Sequence, residues 1–289
     1  MTQPLDAFSY RDGVLHAGDV PLPEIADAVG TPTYVYSAEA IRSSYRRIEN
    51  AFAPLGAHLH YAVKASSNLH LLRLLHGLGA GMDVVSGGEM ERAWLAGTPM
   101  RDIVFAGVGK TEAEQRAALD GRWSPLRDDI ERLGAEKIDD RGPVGLFNVE
   151  SESELEVLSR VAADLGLVAR ACLRVNPDVD ARTHEYTTTG LEENKFGVSW
   201  TRVLEIFDAF RDVTSIALVG LHVHIGSPVR EIEPYESAVR VLLRLIDTLE
   251  ENGHEISVLD LGGGWPMNMF LEPGSLEPFW GGTDRKSVV

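Results

Sequence analysis

Strand-like and helix-like segments alternate from residue 37 onward, and this alternation limits the folds that the chain can adopt. Helical patterns separate short apolar runs typical of strands near residues 57–64, 82–86, 103–106, 145–149, 169–176, 216–225 and 256–261. Strands joined through helices pair in parallel, because a parallel neighbour requires a long crossover connection. The pattern therefore predicts an α/β fold with a parallel sheet covered by helices.

The seven predicted strands are one fewer than the eight that close a (β/α)8 TIM-type barrel. We therefore expect residues 31–270 to form an α/β barrel that is incomplete at its last strand. The polar stretch 120–143 is predicted to be a surface insertion. Residues 271–289 show no strand or helix pattern, are expected to form an irregular tail, and end like an interrupted reading frame. Residues 1–30 lie outside the repeat and are predicted to be a separate extension.

The charge balance limits the classes of partner. The chain has 44 acidic and 27 basic residues and a net charge of -17, which opposes binding to nucleic acid and gives no broad basic face for a membrane. A small molecule is the expected partner. Cys172 is the single cysteine, so no intrachain disulfide can form, and its apolar neighbours predict a buried thiol. The chain start lacks a signal-peptide pattern and no apolar run reaches membrane-spanning length, so we expect a cytoplasmic protein.

Lys64 follows the apolar run His58–Val63 and precedes a helical pattern, which places it at the C-terminal end of a predicted strand. Catalytic residues of α/β barrels lie at these strand ends. A lysine shielded there can form a Schiff base with a carbonyl compound such as pyridoxal 5'-phosphate (PLP). The alternative is a lysine that caps the strand and extends to water.

His222 and His224 lie two residues apart near the end of another predicted strand and should share a face. Such a pair indicates either metal ligation or a planar partner on which an imidazole stacks. Histidines hydrogen-bonded inside a barrel are the alternative. No further cluster of metal ligands appears on another strand, which argues against a metal-dependent hydrolase.

Gly262, Gly263 and Gly264 follow the strand that contains Asp260. Backbone amides in such a turn can hold a phosphate group, although three glycines can equally form an ordinary tight turn. The spacing fits neither a Walker A loop nor a dinucleotide-binding motif.

Two further charged side chains belong to strand ends. Asp83 lies in a largely apolar strand, where a buried carboxylate requires a cation or a polar network near Lys64; otherwise it faces solvent. Arg174 ends the strand that contains Cys172 and could position an anionic group through its fork of donors. Asn194 and Lys195 follow in a polar loop and can equally be ordinary loop residues.

Taken together and in this order, seven segments resemble the fold-type III PLP-dependent decarboxylases, whose barrel is of the alanine racemase type. The diaminopimelate branch is more similar than the ornithine and arginine branch, because of the segment at 174–199. The matching text is YAVKASSN at 61–68, MDVVSGGEMERA at 82–93, IVFAGVGKT at 103–111, FNVESESELEVL at 147–158, RVNPDVDARTHEYTTTGLEENKFGVS at 174–199, GLHVHIGS at 220–227 and LDLGGG at 259–264.

The resemblance implies that PLP is the cofactor and that the complete enzyme converts meso-2,6-diaminopimelate to L-lysine in lysine biosynthesis. It implies that Lys64 carries the cofactor and that His224 stacks on its ring. It further implies that Ser227 and the glycines at 262–264 hold the phosphate and that Asp83 lies close to Lys64 and the cofactor.

The chain departs from the family pattern after Gly264. Glu272-Pro273-Gly274 is followed by Ser275 where the family motif has arginine, and it comes too soon after Gly264 to count as that motif. The family's second, β-rich domain, to which residues 1–30 would contribute and which forms a homodimer, has no counterpart. We therefore expect this chain alone to aggregate readily, to bind PLP weakly and to have little decarboxylase activity.

Two alternatives remain open at this stage. The first is an ornithine-type or arginine-type decarboxylase. The second is a catalytically silent PLP-binding or regulatory homologue.

Overall fold

The computed structural model describes residues 7–121, 142–179, 196–229, 231–265 and 287–288. Within them, the helices are α1 (Leu22–Val29), α2 (Ala38–Phe52), α3 (Leu69–His76), α4 (Gly87–Leu95), α5 (Glu112–Asp120), α6 (Glu152–Leu165), α7 (Val203–Ala209) and α8 (Glu233–Glu251). Five of them, α2 to α6, begin after a serine, asparagine or threonine whose side chain accepts a hydrogen bond from a backbone N–H of the first turn. Because these caps satisfy otherwise unpaired donors, they define where the crossover helices start.

The N-terminal extension forms its own small sheet. Its antiparallel strands are β1 (Phe8–Arg11), β2 (Val14–Ala17) and β3 (Val20–Pro21), and α1 follows directly. The hairpin turn between β1 and β2 contains Asp12 and Gly13, both with positive φ, which is the backbone conformation that tight two-residue turns require. This sheet is hydrogen-bonded separately from the large sheet of the chain.

The large sheet contains all seven predicted strands, and they pair in parallel in the order β11-β10-β8-β7-β6-β5-β4. The structure thus confirms the α/β architecture and the positions of the strands. These strands are β4 (Leu59–Ala62), β5 (Gly81–Val84), β6 (Ile103–Phe105), β7 (Leu146–Val149), β8 (Ala169–Asn176), β10 (Ile216–His222) and β11 (Val258–Asp260). A further short strand, β9 (Val198–Ser199), pairs in parallel with the end of β8.

The expectation that the last segment contains no strand is wrong at one point. Strand β12 (Ser287–Val288) pairs antiparallel with β4, at the edge of the parallel sheet. No sequence pattern indicates this strand, because two residues are too few to establish an alternating pattern. The rest of the predicted tail and most of the predicted insertion, at 122–141, lie outside the described residues.

The sheet is curled into an incomplete barrel. Alternate residues point outward and pack under the helices, for example Met82, Phe105 and Phe147. The opposite face encloses a lumen whose lower layer is apolar and contains Val104, Leu146 and the fully buried Cys172. Among the described residues, β4 and β11 are not hydrogen-bonded to each other, so the barrel is open between them.

Cys172 agrees with the prediction of a buried thiol. Burial raises its pKa well above the ordinary value, and the nearby Asp260 charge acts in the same direction. The thiol therefore stays protonated and unreactive at neutral pH. The described helices include none that is both long and apolar enough to cross a membrane.

Candidate functional site

The predicted site residues gather at the carboxyl ends of the parallel strands. Lys64 lies in a short 3-10 turn, Val63–Ala65, directly after β4. Asp83 belongs to the neighbouring β5, Arg174 to β8, and His224 follows β10 by two residues. Arg174 donates to the carbonyl of His224 over 3.2 Å, and the positive charges of Arg174 and Lys64 both lower the pKa of the His224 imidazole.

Lys64 is exposed, as in the alternative of a lysine that extends to water. Its backbone is held by a buried neighbour on the preceding side, Val63, whereas its side chain extends from the barrel mouth. An exposed amine at this position is accessible to a carbonyl compound. The position after β4, rather than burial, is what distinguishes this lysine.

His224 is held by the glycine turn. The backbone N–H of Gly263 donates to His224 Nδ1 over 3.2 Å. Burial among neighbouring atoms lowers the pKa of His224 well below its ordinary value, and the cationic charges of Arg174 and Lys64 lower it further. The ring is therefore neutral at pH 7, while part of its surface stays exposed at the barrel mouth.

Arg174 forms a buried ion pair with Glu150, a residue that the sequence analysis missed. One guanidinium nitrogen, Nη1, donates to both carboxylate oxygens of Glu150, at 2.6 and 2.8 Å, and Nη2 donates to the carbonyl of His224 at 3.2 Å. The guanidinium also lies over the ring of Phe196. Arg174 thus connects the end of β7 with the segment that carries His224. Glu150 immediately follows β7, and a carboxylate at that strand-end position was the available signal.

The glycine turn is less free than predicted. The N–H of Gly262 donates to Asp260 Oδ1 over 2.7 Å, and the N–H of Gly263 is used by His224. In the chain as described, both amides therefore already have acceptors. Asp260 is close to the turn in sequence, whereas His224 is distant and is brought to the turn by the fold.

The glycines are required by close backbone contacts. Gly262 and Gly264 have φ values of +64° and +93°, and a Cβ on either would collide with a backbone carbonyl, of Val223 and Gly226 respectively. The carbonyl of Gly263 accepts a hydrogen bond from the hydroxyl of Tyr235, in α8, over 2.9 Å. The turn therefore packs tightly against the segment that ends at Ser227. Ser227 itself is partly exposed.

His222 lies one layer deeper than His224, inside the barrel. Its Nδ1 is 3.0 Å from Asp260 Oδ2, and the side-chain amide of Asn148 donates to the same oxygen over 2.7 Å. Burial alone would raise the pKa of Asp260, but His222, the Gly262 N–H and Asn148 outweigh it and lower the pKa. Asp260 is therefore an ionised carboxylate in a hydrogen-bonded network. Across the described residues, no group of three or more metal-ligating side chains occurs.

Asp83 is buried rather than facing solvent. It is paired in register with Ala62, two residues before Lys64, so the carboxylate belongs to the strand beside the lysine. Asn194 and Lys195 lie outside the described residues.

A second buried cation was not anticipated. Lys110 forms an ion pair with Glu154 over 2.8 Å and donates to the carbonyl of Asn148, also over 2.8 Å. Burial raises the pKa of Glu154, opposed by the charge of Lys110. This pair connects the loop after β6 with the start of α6. Its lysine is enclosed, in contrast to Lys64.

The donor set fits PLP. An aldehyde requires an accessible amine, which Lys64 provides, and an aromatic ring requires a flat partner, which the partly exposed His224 can provide. The cationic charge of Lys64 favours an anionic ligand such as a phosphate ester, whereas that of Arg174 is compensated by Glu150. An incomplete α/β barrel with this arrangement at the carboxyl ends of its strands belongs to the class of PLP-binding barrels.

The comparison with known sequences identifies the family. The chain belongs to the family described as pyridoxal-dependent decarboxylase, pyridoxal binding domain, which matches residues 38–275. It is 45% identical over 260 residues to a diaminopimelate decarboxylase of Pseudomonas aeruginosa, covering 90% of this chain and 58% of that protein. A diaminopimelate decarboxylase of Aquifex aeolicus is 41% identical over 271 residues, with 94% and 59% covered.

A solved structure agrees in fold. Diaminopimelate decarboxylase from M. jannaschii, in co-complex with L-lysine, superposes with a TM-score of 0.78 at 32% identity, covering 94% of this chain and 59% of that one. The chain thus spans a little under three fifths of the length of the relatives that it matches.

Proposed function

We propose that this chain is the cofactor-binding barrel of a PLP-dependent decarboxylase that converts meso-2,6-diaminopimelate to L-lysine and carbon dioxide. The convergence of an accessible Lys64, a neutral His224 and the Arg174 guanidinium at one barrel mouth carries this proposal. Its substrate follows from relatives named diaminopimelate decarboxylase at 45% and 41% identity.

Each site residue has a role in the proposal. Lys64 would attach the cofactor covalently, and the uncharged ring of His224 would lie against the pyridine ring. Ser227 and the turn at 262–264 would lie near the phosphate, with the Ser227 hydroxyl as a donor. Asp83 would lie close to the cofactor beside Lys64. When bound, PLP supplies an electron sink for the electron pair left behind when the substrate carboxylate leaves as carbon dioxide.

Arg174 and Glu150 would stabilise the structure of the barrel mouth. Because Glu150 neutralises one side of the guanidinium, Arg174 stays in place and holds the carbonyl of His224. The positive charge of Lys64 would attract a substrate carboxylate toward the mouth.

The proposal extends to the assembly. Residues 1–30, which include the small sheet of β1 to β3, would contribute to a second, β-rich domain in the complete enzyme. The complete enzyme would act as a homodimer in the cytoplasm. The net charge of -17 is consistent with a small-molecule substrate and argues against nucleic acid or membranes as partners.

Borohydride reduction after incubation with PLP tests the cofactor role. The folded chain is treated, digested and mapped by mass spectrometry for a pyridoxyl label. We expect the label on Lys64 and its loss in Lys64→Arg. Lys110 serves as an internal control, because its side chain is 1% exposed and already paired. A folded chain labelled at Lys110 or not labelled at all would contradict the proposal.

A substrate assay tests the reaction. The full-length protein that contains this chain is supplied with PLP and with meso-diaminopimelate, ornithine or arginine, and released carbon dioxide is measured. We expect release from diaminopimelate alone. Labelling at Lys64 without carbon dioxide release from any of the three would refute the decarboxylase proposal. It would indicate a PLP-binding homologue of another function.

A further inference from the structure

Gly263 connects two side chains through its two backbone groups. Its N–H donates to His224 Nδ1 over 3.2 Å, and its carbonyl accepts from the hydroxyl of Tyr235 over 2.9 Å. One residue without a side chain of its own therefore joins helix α8 to the imidazole at the barrel mouth.

The first of these bonds determines where the imidazole carries its proton. A backbone N–H can only donate, so His224 Nδ1 must accept and has no proton of its own. In a neutral imidazole the single proton then belongs to Nε2. The hydrogen bond from Gly263 thus selects one of the two neutral tautomers.

The surrounding charges favour a neutral ring. Arg174 from β8, Lys64 after β4 and His222 from β10 all oppose a proton on His224, and Asp260 from β11 is the group that favours one. Asp260 is already engaged by His222, Asn148 and the Gly262 N–H. Its negative charge is therefore largely compensated within its own network.

Tyr235 is well placed to hold the carbonyl of Gly263. Its ring stacks on Trp265, with centroids 4.4 Å apart and planes inclined by 18°, which limits its movement. Burial raises the pKa of the Tyr235 hydroxyl, so the group keeps its proton and acts as the donor. Trp265 follows Gly264 directly, so the same stack anchors the end of the glycine turn.

We propose that Tyr235 is a positioning residue, whose hydroxyl orients Gly263 so that the Gly263 N–H holds His224 as the neutral tautomer with its proton on Nε2. His224 then has an uncharged ring whose single N–H is at Nε2, and it provides no base at Nδ1. This inference deepens the proposed function and rests on it for the identity of that ligand, an aromatic aldehyde phosphate.

The tautomer can be measured without any cofactor. The chain is labelled with ¹⁵N-histidine, and long-range ¹H–¹⁵N correlation distinguishes protonated from unprotonated ring nitrogens. The sequence has nine histidines, so the signals of His224 are assigned by their loss in His224→Gln. We expect an unprotonated Nδ1 and a protonated Nε2 at every pH from about 7.5 down to about 5.5, below the ordinary histidine pKa.

The variant Tyr235→Phe keeps the stack on Trp265 and removes the hydroxyl alone. We expect the ratio of the Nε2–H to the Nδ1–H tautomer to fall by no more than about fivefold, the equivalent of one hydrogen bond, because the lost Tyr235 bond acts on the imidazole only through Gly263. Tyr45→Phe is the matched control, because Tyr45 is a partly buried tyrosine of α2 away from the turn. It should leave the His224 signals unchanged.

Three results would overturn the proposal: a proton on Nδ1 in the parent chain, a cationic ring at pH 7.5, or His224 signals in Tyr235→Phe that match those of the parent. If Tyr235→Phe does not fold, the parent measurement still stands. A failed tautomer result together with a pyridoxyl label on Lys64 would refute this inference alone. The correct tautomer without a label would instead refute the proposed cofactor role.

Discussion

The side-chain amide of Asn148 lies 2.7 Å from the carboxylate of Asp260, although β8 and β10 separate their strands in the sheet. In a flat sheet, three strand spacings would place β7 and β11 about 14 Å apart. The contact therefore requires the sheet to curl around a lumen. It also connects the middle of the barrel to the glycine turn, because Asp260 holds the N–H of Gly262.

Replacing Asn148 should destabilise the barrel. In Asn148→Ala the ionised Asp260 loses a buried donor, so we expect the free energy of unfolding to fall by about 1–3 kcal/mol. Urea denaturation measures the change. Asn252→Ala is the control, since Asn252 is exposed and its side-chain amide donates to the carbonyl of Thr248 near the end of α8. Equal losses in the two variants would show that the lumen network contributes little.

Removing Glu150 should cost more. Glu150→Ala leaves the Arg174 guanidinium buried without its carboxylate, and breaking a buried pair in this way typically costs about 3–5 kcal/mol. Glu112→Ala removes a carboxylate from a pair with Arg160 whose side chains are 46% and 55% exposed, and should cost far less because exposed pairs contribute little to stability. Thermal and urea unfolding of both variants test this difference. A Glu150→Ala chain as stable as Glu112→Ala would contradict it.

Sequence patterns were sufficient to predict the sheet but not the connections within the site. The seven strands follow from short apolar runs, and Lys64, Asp83, Arg174 and His224 follow from their positions at strand ends. Glu150 and Asp260 remained unassigned because their partners, Arg174 and Asn148, are distant in sequence. Local patterns carry no information about which strand ends meet across a lumen.

The exposure of Lys64 and Lys110 could not be predicted from the sequence either. Lys64 follows an apolar run, which left open whether it is shielded or extends to water, whereas Lys110 follows a glycine-rich segment and is the enclosed lysine. Burial depends on which loops and helices cover a strand end. The apolar run before Lys64 indicates a strand, but it carries no information about what covers the barrel mouth at the end of that strand.

Lowering the pH below neutrality should destabilise the chain through its lumen histidines. Burial lowers the pKa of both His60 and His224; nearby Asp260 opposes this effect at each, and cationic neighbours reinforce it at His224. The unfolded chain then binds protons that the folded chain does not. Stability is therefore complete above the unfolded value of about 6.5 and declines as the pH falls toward the lowered folded values.

Unfolding free energies at pH 7.5 and 5.5 measure this effect. We expect a drop in the parent chain and a smaller drop in His224→Gln, which removes one of the two groups. His70→Gln should retain the parent's drop, because His70 is exposed on α3. The raised pKa of Glu154 acts in the opposite direction and is common to all three chains. A His224→Gln chain with the parent's full drop would show that His224 does not resist protonation.

The glycine turn should tolerate a side chain poorly at Gly262. A comparison with Gly166 separates the steric cost of that side chain from its backbone cost. Gly262 and Gly166 have nearly equal φ values, +64° and +66°, so alanine at either position carries the same backbone cost of about 1–2 kcal/mol. At Gly166, which ends α6, a Cβ meets nothing within 4 Å. At Gly262 the Cβ would collide with the carbonyl of Val223 and approach His224, and backbone atoms cannot move aside as a flexible side chain can.

We therefore expect Gly262→Ala to lose clearly more unfolding free energy than Gly166→Ala. Gly262→Ala should also disturb the His224 signals, which Gly166→Ala should leave unchanged. If the two variants lost equal stability, the approach of the turn to Val223 would be loose, and the hydrogen bond from Gly263 to His224 could not be held by tight packing of the turn.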